Sequence, residues 1–187
     1  MINAAIFASG SGTNAENLIK YFANDSRIKF KLVFTNNPNA GVIARAEKYN
    51  KNVQIISKDS LYNYSEQLIE FLKTEKIELI ILAGFLLKIP ESFVKAFPDK
   101  IINIHPALLP KYGGKGMYGM HVHEAVIRNK EKESGITVHF VNEQYDEGKV
   151  ILQAKCPVED VDTPESLAQK IHALEYEYFP KAIEKLL

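Results

Sequence analysis

Asn103 and His105 end an apolar run, Ile101-Ile102-Asn103-Ile104-His105-Pro106, and are the residues of this chain best suited to acyl-type chemistry. In an extended segment residues two apart share a face, so Asn103 and His105 project together while Ile102 and Ile104 face the opposite layer. An amide can donate to a developing oxyanion, and an imidazole can shuttle a proton or, protonated, stabilise negative charge. The same residues also fit a plain strand end, with His105 capping it through one satisfied hydrogen bond. A second group is Ser9-Gly10-Ser11-Gly12-Thr13-Asn14, between an apolar run and an amphipathic one. Glycines let backbone approach an anion closely, and the amides at a helix start point toward it. Ser11 and Thr13 add hydroxyl donors. The turn also fits a simple strand–helix junction capped by Thr13 or Asn14. It is neither a dinucleotide fingerprint, since Ala15 and Glu16 stand where a third glycine belongs, nor a P-loop. A third group is Val138-His139-Phe140-Val141 followed by Asp146-Glu147-Gly148. A carboxylate in such a turn can hold a histidine from another strand and favour its protonated form; Asp is equally a common hairpin-turn residue.

Other candidates carry less. Cys156 sits in an apolar run with no base beside it and reads as packing. His121 and His123 lack the spaced partners of a metal site, so no metal is expected. Tyr176, Tyr178 and Phe179 read as core and rim of a final helix.

These groups need elements to hold them. Apolar runs rich in Ile, Val and Phe at residues 2–8, 29–35, 53–56, 77–83 and 101–104 read as strands, and residues 14–23, 40–50, 60–74 and 91–97 as intervening helices. Short, nearly continuous apolar strands separated by helices predict an α/β fold. The expected sheet is mostly parallel, doubly wound and Rossmann-like, with helices flanking both faces. The rhythm then changes. A glycine-rich stretch at 111–119 precedes a helix near 121–129, and residues 135–141 and 149–157 form two strands about a turn at 146–148. Thr163-Pro164-Glu165 opens a long last helix, with Thr163 as cap and Pro164 in the first turn; Pro180 should kink or break it. Without repeats or linkers, residues 1–187 read as a single domain.

The 187 residues are 46% hydrophobic and 25% charged with zero formal net charge, so no global field draws nucleic acid or an anionic membrane. One cysteine excludes a disulfide within the chain and suits a cytoplasmic setting. No segment reads as a signal peptide or membrane span.

Taken in order, Ser-Gly-x-Gly-x-Asn at the first turn, Ala83-Gly84-Phe85, Asn103-Ile104-His105-Pro106-Ala107-Leu108-Leu109-Pro110, and Val138-His139-Phe140-Val141 with Asp146-x-Gly148 resemble the formyl-folate transferase family. The likeness runs from the first strand to the last helix. The first turn points, within that family, to members with a phosphorylated substrate. The resemblance implies a formyltransferase fold. It also implies transfer of the formyl group of 10-formyltetrahydrofolate, a co-substrate, to the amine of glycinamide ribonucleotide in purine synthesis. It assigns catalysis to Asn103, His105 and Asp146, and the ribose phosphate to Gly12, Thr13 and Asn14. Glu175 would bind the ribonucleotide. The folate would lie against Phe85, Leu86, Leu87, Asn103 and the backbone around residues 144–146, Gln144 included. His139 matches a family histidine near the site. Leu87 stands where some members carry a basic residue, and the stretch Gly113–Gly119 is longer than the family's usual link and suits a flap. The expected partners are small molecules, with neither nucleic acid nor membrane, and the chain is expected as a monomer or homodimer.

The implied mechanism is direct attack of the amine through a tetrahedral intermediate. Relatives that hydrolyse formyl-folate or formylate methionyl-tRNA carry an additional domain, which is not expected in this chain. A nicotinamide-dependent oxidoreductase would want an acidic residue after the second strand, where Thr35-Asn36-Asn37 stands. A non-catalytic nucleotide-binding module would have no need of Asn103, His105 and Asp146 together.

Overall fold

A computed structural model describes residues 1–144 and 146–187. Its described strands form a seven-stranded sheet in the order β3-β2-β1-β4-β5-β6-β7. The chain divides into two compact units, Met1–Asn103 with Leu187, and Ile104–Leu186.

The first unit is a parallel sheet wrapped by helices. It contains β1 (Ile2–Phe7), α1 (Thr13–Tyr21), β2 (Ile28–Thr35), α2 (Val42–Glu47), β3 (Asn52–Ile55), α3 (Lys58–Tyr62), α4 (Ser65–Thr74), β4 (Leu79–Leu82) and α5 (Glu91–Ala96). It ends within β5 (Ile101–His105). β1 pairs in parallel with β2 and β4, β2 with β3, and β4 with β5. Residues 4–7 of β1 and all of β4 are buried, as strands covered on both faces must be. Phe7 stacks on Phe34 at 4.6 Å between ring centroids and meets Phe85 edge-on at 5.3 Å. The single helix expected over 60–74 is two helices. Ser57 caps α3 by accepting from the Ser60 amide at 2.9 Å, and the chain turns at 63–64 before α4 begins. α2 is also shorter than the expected 40–50.

The second unit carries α6 (Met120–Arg128), β6 (Glu133–Phe140), β7 (Val150–Pro157) and α7 (Pro164–Glu184). β6 and β7 are antiparallel, with a register shift at Val138/His139. Gly148 closes their turn where no side chain fits, since a Cβ there would stand 1.6 Å from the Phe140 carbonyl oxygen. Thr163 and Ser166 cap α7 reciprocally, each side chain bonding the other's amide at 3.2 and 3.0 Å. The break expected at Pro180 does not occur; α7 runs through it to Glu184. Proline removes one donor, and burial of Phe179, Ala182 and Ile183 holds the last turns in place.

Candidate active site

In the second unit, three side chains from separate segments meet. His105, 4% exposed at the end of β5, has Nε2 2.7 Å from the Tyr112 carbonyl oxygen. A carbonyl only accepts, so Nε2 carries the hydrogen and Nδ1 faces the other way. Nδ1 lies 3.6 Å from Asp146 Oδ2, and Asp146 Oδ1 lies 3.7 Å from Nε2 of His139. The carboxylate is further oriented by the Gly114 amide, which donates to Oδ2 at 2.9 Å. His139 is 2% exposed and donates from Nδ1 to the Phe140 carbonyl at 2.9 Å. Burial, partly offset by that carbonyl and by Asp146, holds its proton affinity below the ordinary value of 6.5. These bonds leave the two ring nitrogens that face Asp146, Nδ1 of His105 and Nε2 of His139, without a hydrogen in the neutral rings, so a proton taken up by His105 would sit against the carboxylate. At 3.6 Å the His105–Asp146 approach needs slight closure, or a bridging water, to become a direct proton path.

The loop after His105 is braced by a residue that the sequence did not single out. Thr137, wholly buried on β6 two places before His139, donates to the Ala107 carbonyl at 2.7 Å and accepts from the Leu109 amide at 3.0 Å. Gln153 Nε2 donates to the same hydroxyl at 2.9 Å. The alternation of β6 is the one signal that could have found Thr137, since it shares a face with His139. The contacts of Tyr112 and Gly114 are made by main-chain atoms and leave no signature in residue type.

Glu175, buried in α7, has Oε2 3.0 Å from Nδ1 of His172, and this bond raises the proton affinity of His172. Gln144 is exposed, its amide donating to Asn142 at 3.0 Å. Tyr145, within the stretch expected against the folate, lies outside the described residues.

In the first unit the turn 9–14 has Gly12 at φ 77°, the left-handed region, as the residue before α1. No side chain caps this helix start, so the capping reading of Thr13 and Asn14 is corrected: Thr13 is already helical, and glycine closes the turn. Ser9 Oγ donates to Asn36 Oδ1 at 2.5 Å and accepts from the Leu86 amide at 2.9 Å, tying the first turn to the Phe85–Leu87 segment. Phe85 is core, Leu86 is 60% exposed, and Leu87 is half-buried. Asn103, half-buried, closes this unit on the strand that continues to His105.

Among the described residues no three His, Cys, Asp or Glu side chains are grouped to hold a metal, and no helix is long and apolar enough to cross a membrane. A family profile described as formyl transferase matches residues 2–183, and the chain belongs to that family. It is 35% identical over 187 residues to a phosphoribosylglycinamide formyltransferase of Bacillus subtilis, covering 98% of this chain and 93% of that protein. A chloroplastic protein of the same name from Arabidopsis thaliana is 36% identical over 186 residues, covering 96% of this chain. The chain spans 63% of that plant protein's length. The crystal structure of glycinamide ribonucleotide transformylase 1 from Geobacillus kaustophilus superimposes with a TM-score of 0.90 at 33% identity, covering 100% of this chain and 99% of that one.

Proposed function

We propose that this chain transfers the formyl group of 10-formyltetrahydrofolate to the amine of glycinamide ribonucleotide in purine biosynthesis, acting as one formyltransferase domain in the cytoplasm. The observation that carries the reading is the approach of Asp146 to His105, two residues 41 positions apart whose pairing serves proton transfer. The names of the relatives support formyl transfer to glycinamide ribonucleotide, and the folate donor is what the sequence resemblance implies.

The substrate amine is already a nucleophile, so no covalent enzyme intermediate is needed. Its nitrogen bonds to the formyl carbon, and the carbonyl electrons move onto oxygen. Asn103 donates to that oxyanion, and His105, made an imidazolium by a second proton on the Nδ1 that faces Asp146, stabilises it by its charge from the same strand, β5. Collapse breaks the bond to folate N10, which takes up a proton while the amine loses one. Asp146 holds His105 in orientation and relays that proton. The Gly12–Asn14 turn receives the phosphate, Glu175 helps to bind the ribonucleotide, and Leu86 and Leu87 offer apolar surface to the pterin, with Phe85, Asn103 and Gln144 completing the folate contacts.

The experiment is a folate absorbance assay with and without glycinamide ribonucleotide. The proposal expects turnover only with the amine present. Turnover without it assigns a hydrolase, and turnover with neither substrate pair overturns the reading.

A further inference from the structure

The glycine turn of the first unit is fastened to α2 by contacts that a strand–helix junction does not require. The Val42 amide donates to the Gly10 carbonyl at 3.2 Å, and Arg45 Nε donates to the Ser11 carbonyl at 3.0 Å. Gly12 packs so tightly on Val42 that a Cβ added to it would stand 2.4 Å from the valine Cβ. Arg45 is held in turn by Glu16 in the first turn of α1, with which its guanidinium pairs. Glu16 also accepts from the Tyr49 hydroxyl at 3.1 Å and pairs with Lys20 at 3.1 Å. The Lys20 bond, opposed by burial and aided by Arg45 and Tyr49, keeps the Glu16 carboxyl at about 2, so it stays ionised.

A peptide unit is planar and trans, so its carbonyl and its amide point in opposite directions. Pinning the Ser11 carbonyl to Arg45 therefore aims the Gly12 amide away from α2, and pinning the Gly10 carbonyl to Val42 does the same for the Ser11 amide. We infer that Arg45 is a positioning residue: held by Glu16, it fixes the Ser11–Gly12 peptide so that the turn's amides face the substrate phosphate. The inference rests on the proposed phosphate role of this turn. It accounts for an ionised carboxylate one turn from an anion site, which by its charge alone would weaken binding.

The sign of one variant separates positioning from charge. Arg45→Met removes the guanidinium, Glu16→Met removes the group that holds it, and Arg45→Lys keeps the charge but lacks the fork that reaches both Ser11 and Glu16. Binding of inorganic phosphate is followed through the Gly12 amide shift by NMR, beside the KM for glycinamide ribonucleotide. Positioning predicts that all three variants weaken phosphate by about tenfold and raise that KM alike, leaving kcat and the folate KM within about twofold. A charge effect alone predicts that Glu16→Met tightens phosphate and Arg45→Lys matches wild type; either result overturns the inference, as does a wild-type Gly12 amide indifferent to phosphate. Phosphate binding that follows the positioning pattern in a protein with no formyl transfer would leave this inference standing and remove the proposed reaction.

Discussion

The glycine turn of the first unit and the imidazole–carboxylate cluster of the second are built from different parts of the chain. The turn is a backbone construction: Gly12 at φ 77°, carbonyls pinned to α2, and a helix start with no side-chain cap. The cluster is made of side chains drawn from β5, β6 and the turn that precedes β7: His105, His139 and Asp146. Anion binding by backbone amides needs rigidity and close approach, which glycine supplies locally. Proton transfer needs groups whose protonation can change, held against each other from distant segments. One region is thus sensitive to shape and the other to chemistry, and substitutions should separate them.

The largest expected effect is on chemistry alone. Asn103→Ala should lower kcat by about 100- to 1000-fold, the usual cost of one oxyanion donor, with KM for glycinamide ribonucleotide little changed. Steady-state kinetics check it, and near-normal turnover would remove Asn103 from the reaction. Next is shape alone. Gly12→Ala forces a side chain into a left-handed residue and against Val42, so it should cost ~1–3 kcal/mol and weaken phosphate more than it slows a saturated enzyme. A variant with unchanged stability and phosphate affinity would show that the turn adapts.

A smaller effect comes from pH. Burial keeps His139 below 6.5 in the folded state, so unfolding takes up a proton once the pH falls below that value. The stability contributed by neutral His139 is present above 6.5 and declines as pH drops through this window. His123, also lowered chiefly by burial, adds the same sign, while His172, raised by Glu175, opposes it. Urea midpoints measured across this range should fall toward acid in wild type and fall less in His139→Asn; identical slopes would contradict the burial argument. The smallest effect lies outside both regions. Thr163→Ala removes the α7 cap and should cost about 1 kcal/mol in thermal unfolding without altering kinetics.

Much of this was legible in the sequence. The Ile- and Val-rich runs became strands of a mostly parallel sheet because burial on both faces demands them. Asn103 and His105 announced themselves by their spacing on β5. Asp146 is the turn residue its sequence context suggested, at φ 55°, and its carboxylate also lies 3.6 Å from His105 Nδ1. What stayed hidden has physical causes. The split between α3 and α4 follows from local side-chain bonds at Ser57 and Asn63 that an apolar pattern cannot register. Pro180 lies within α7 because tertiary burial outweighs the missing hydrogen bond. The Tyr112 carbonyl on His105 and the Gly114 amide on Asp146 are backbone contacts, available to any residue type.

The claim most exposed to test is that Asp146 acts on the reaction through His105. Single-turnover formyl transfer by Asp146→Asn at saturating substrates measures it directly, since asparagine preserves the shape of the turn and removes the charge. The expected result is a rate at least about 100-fold below wild type with substrate affinities within a few-fold. A rate close to wild type would mean that the carboxylate serves only the turn, and the proton path would have to run elsewhere.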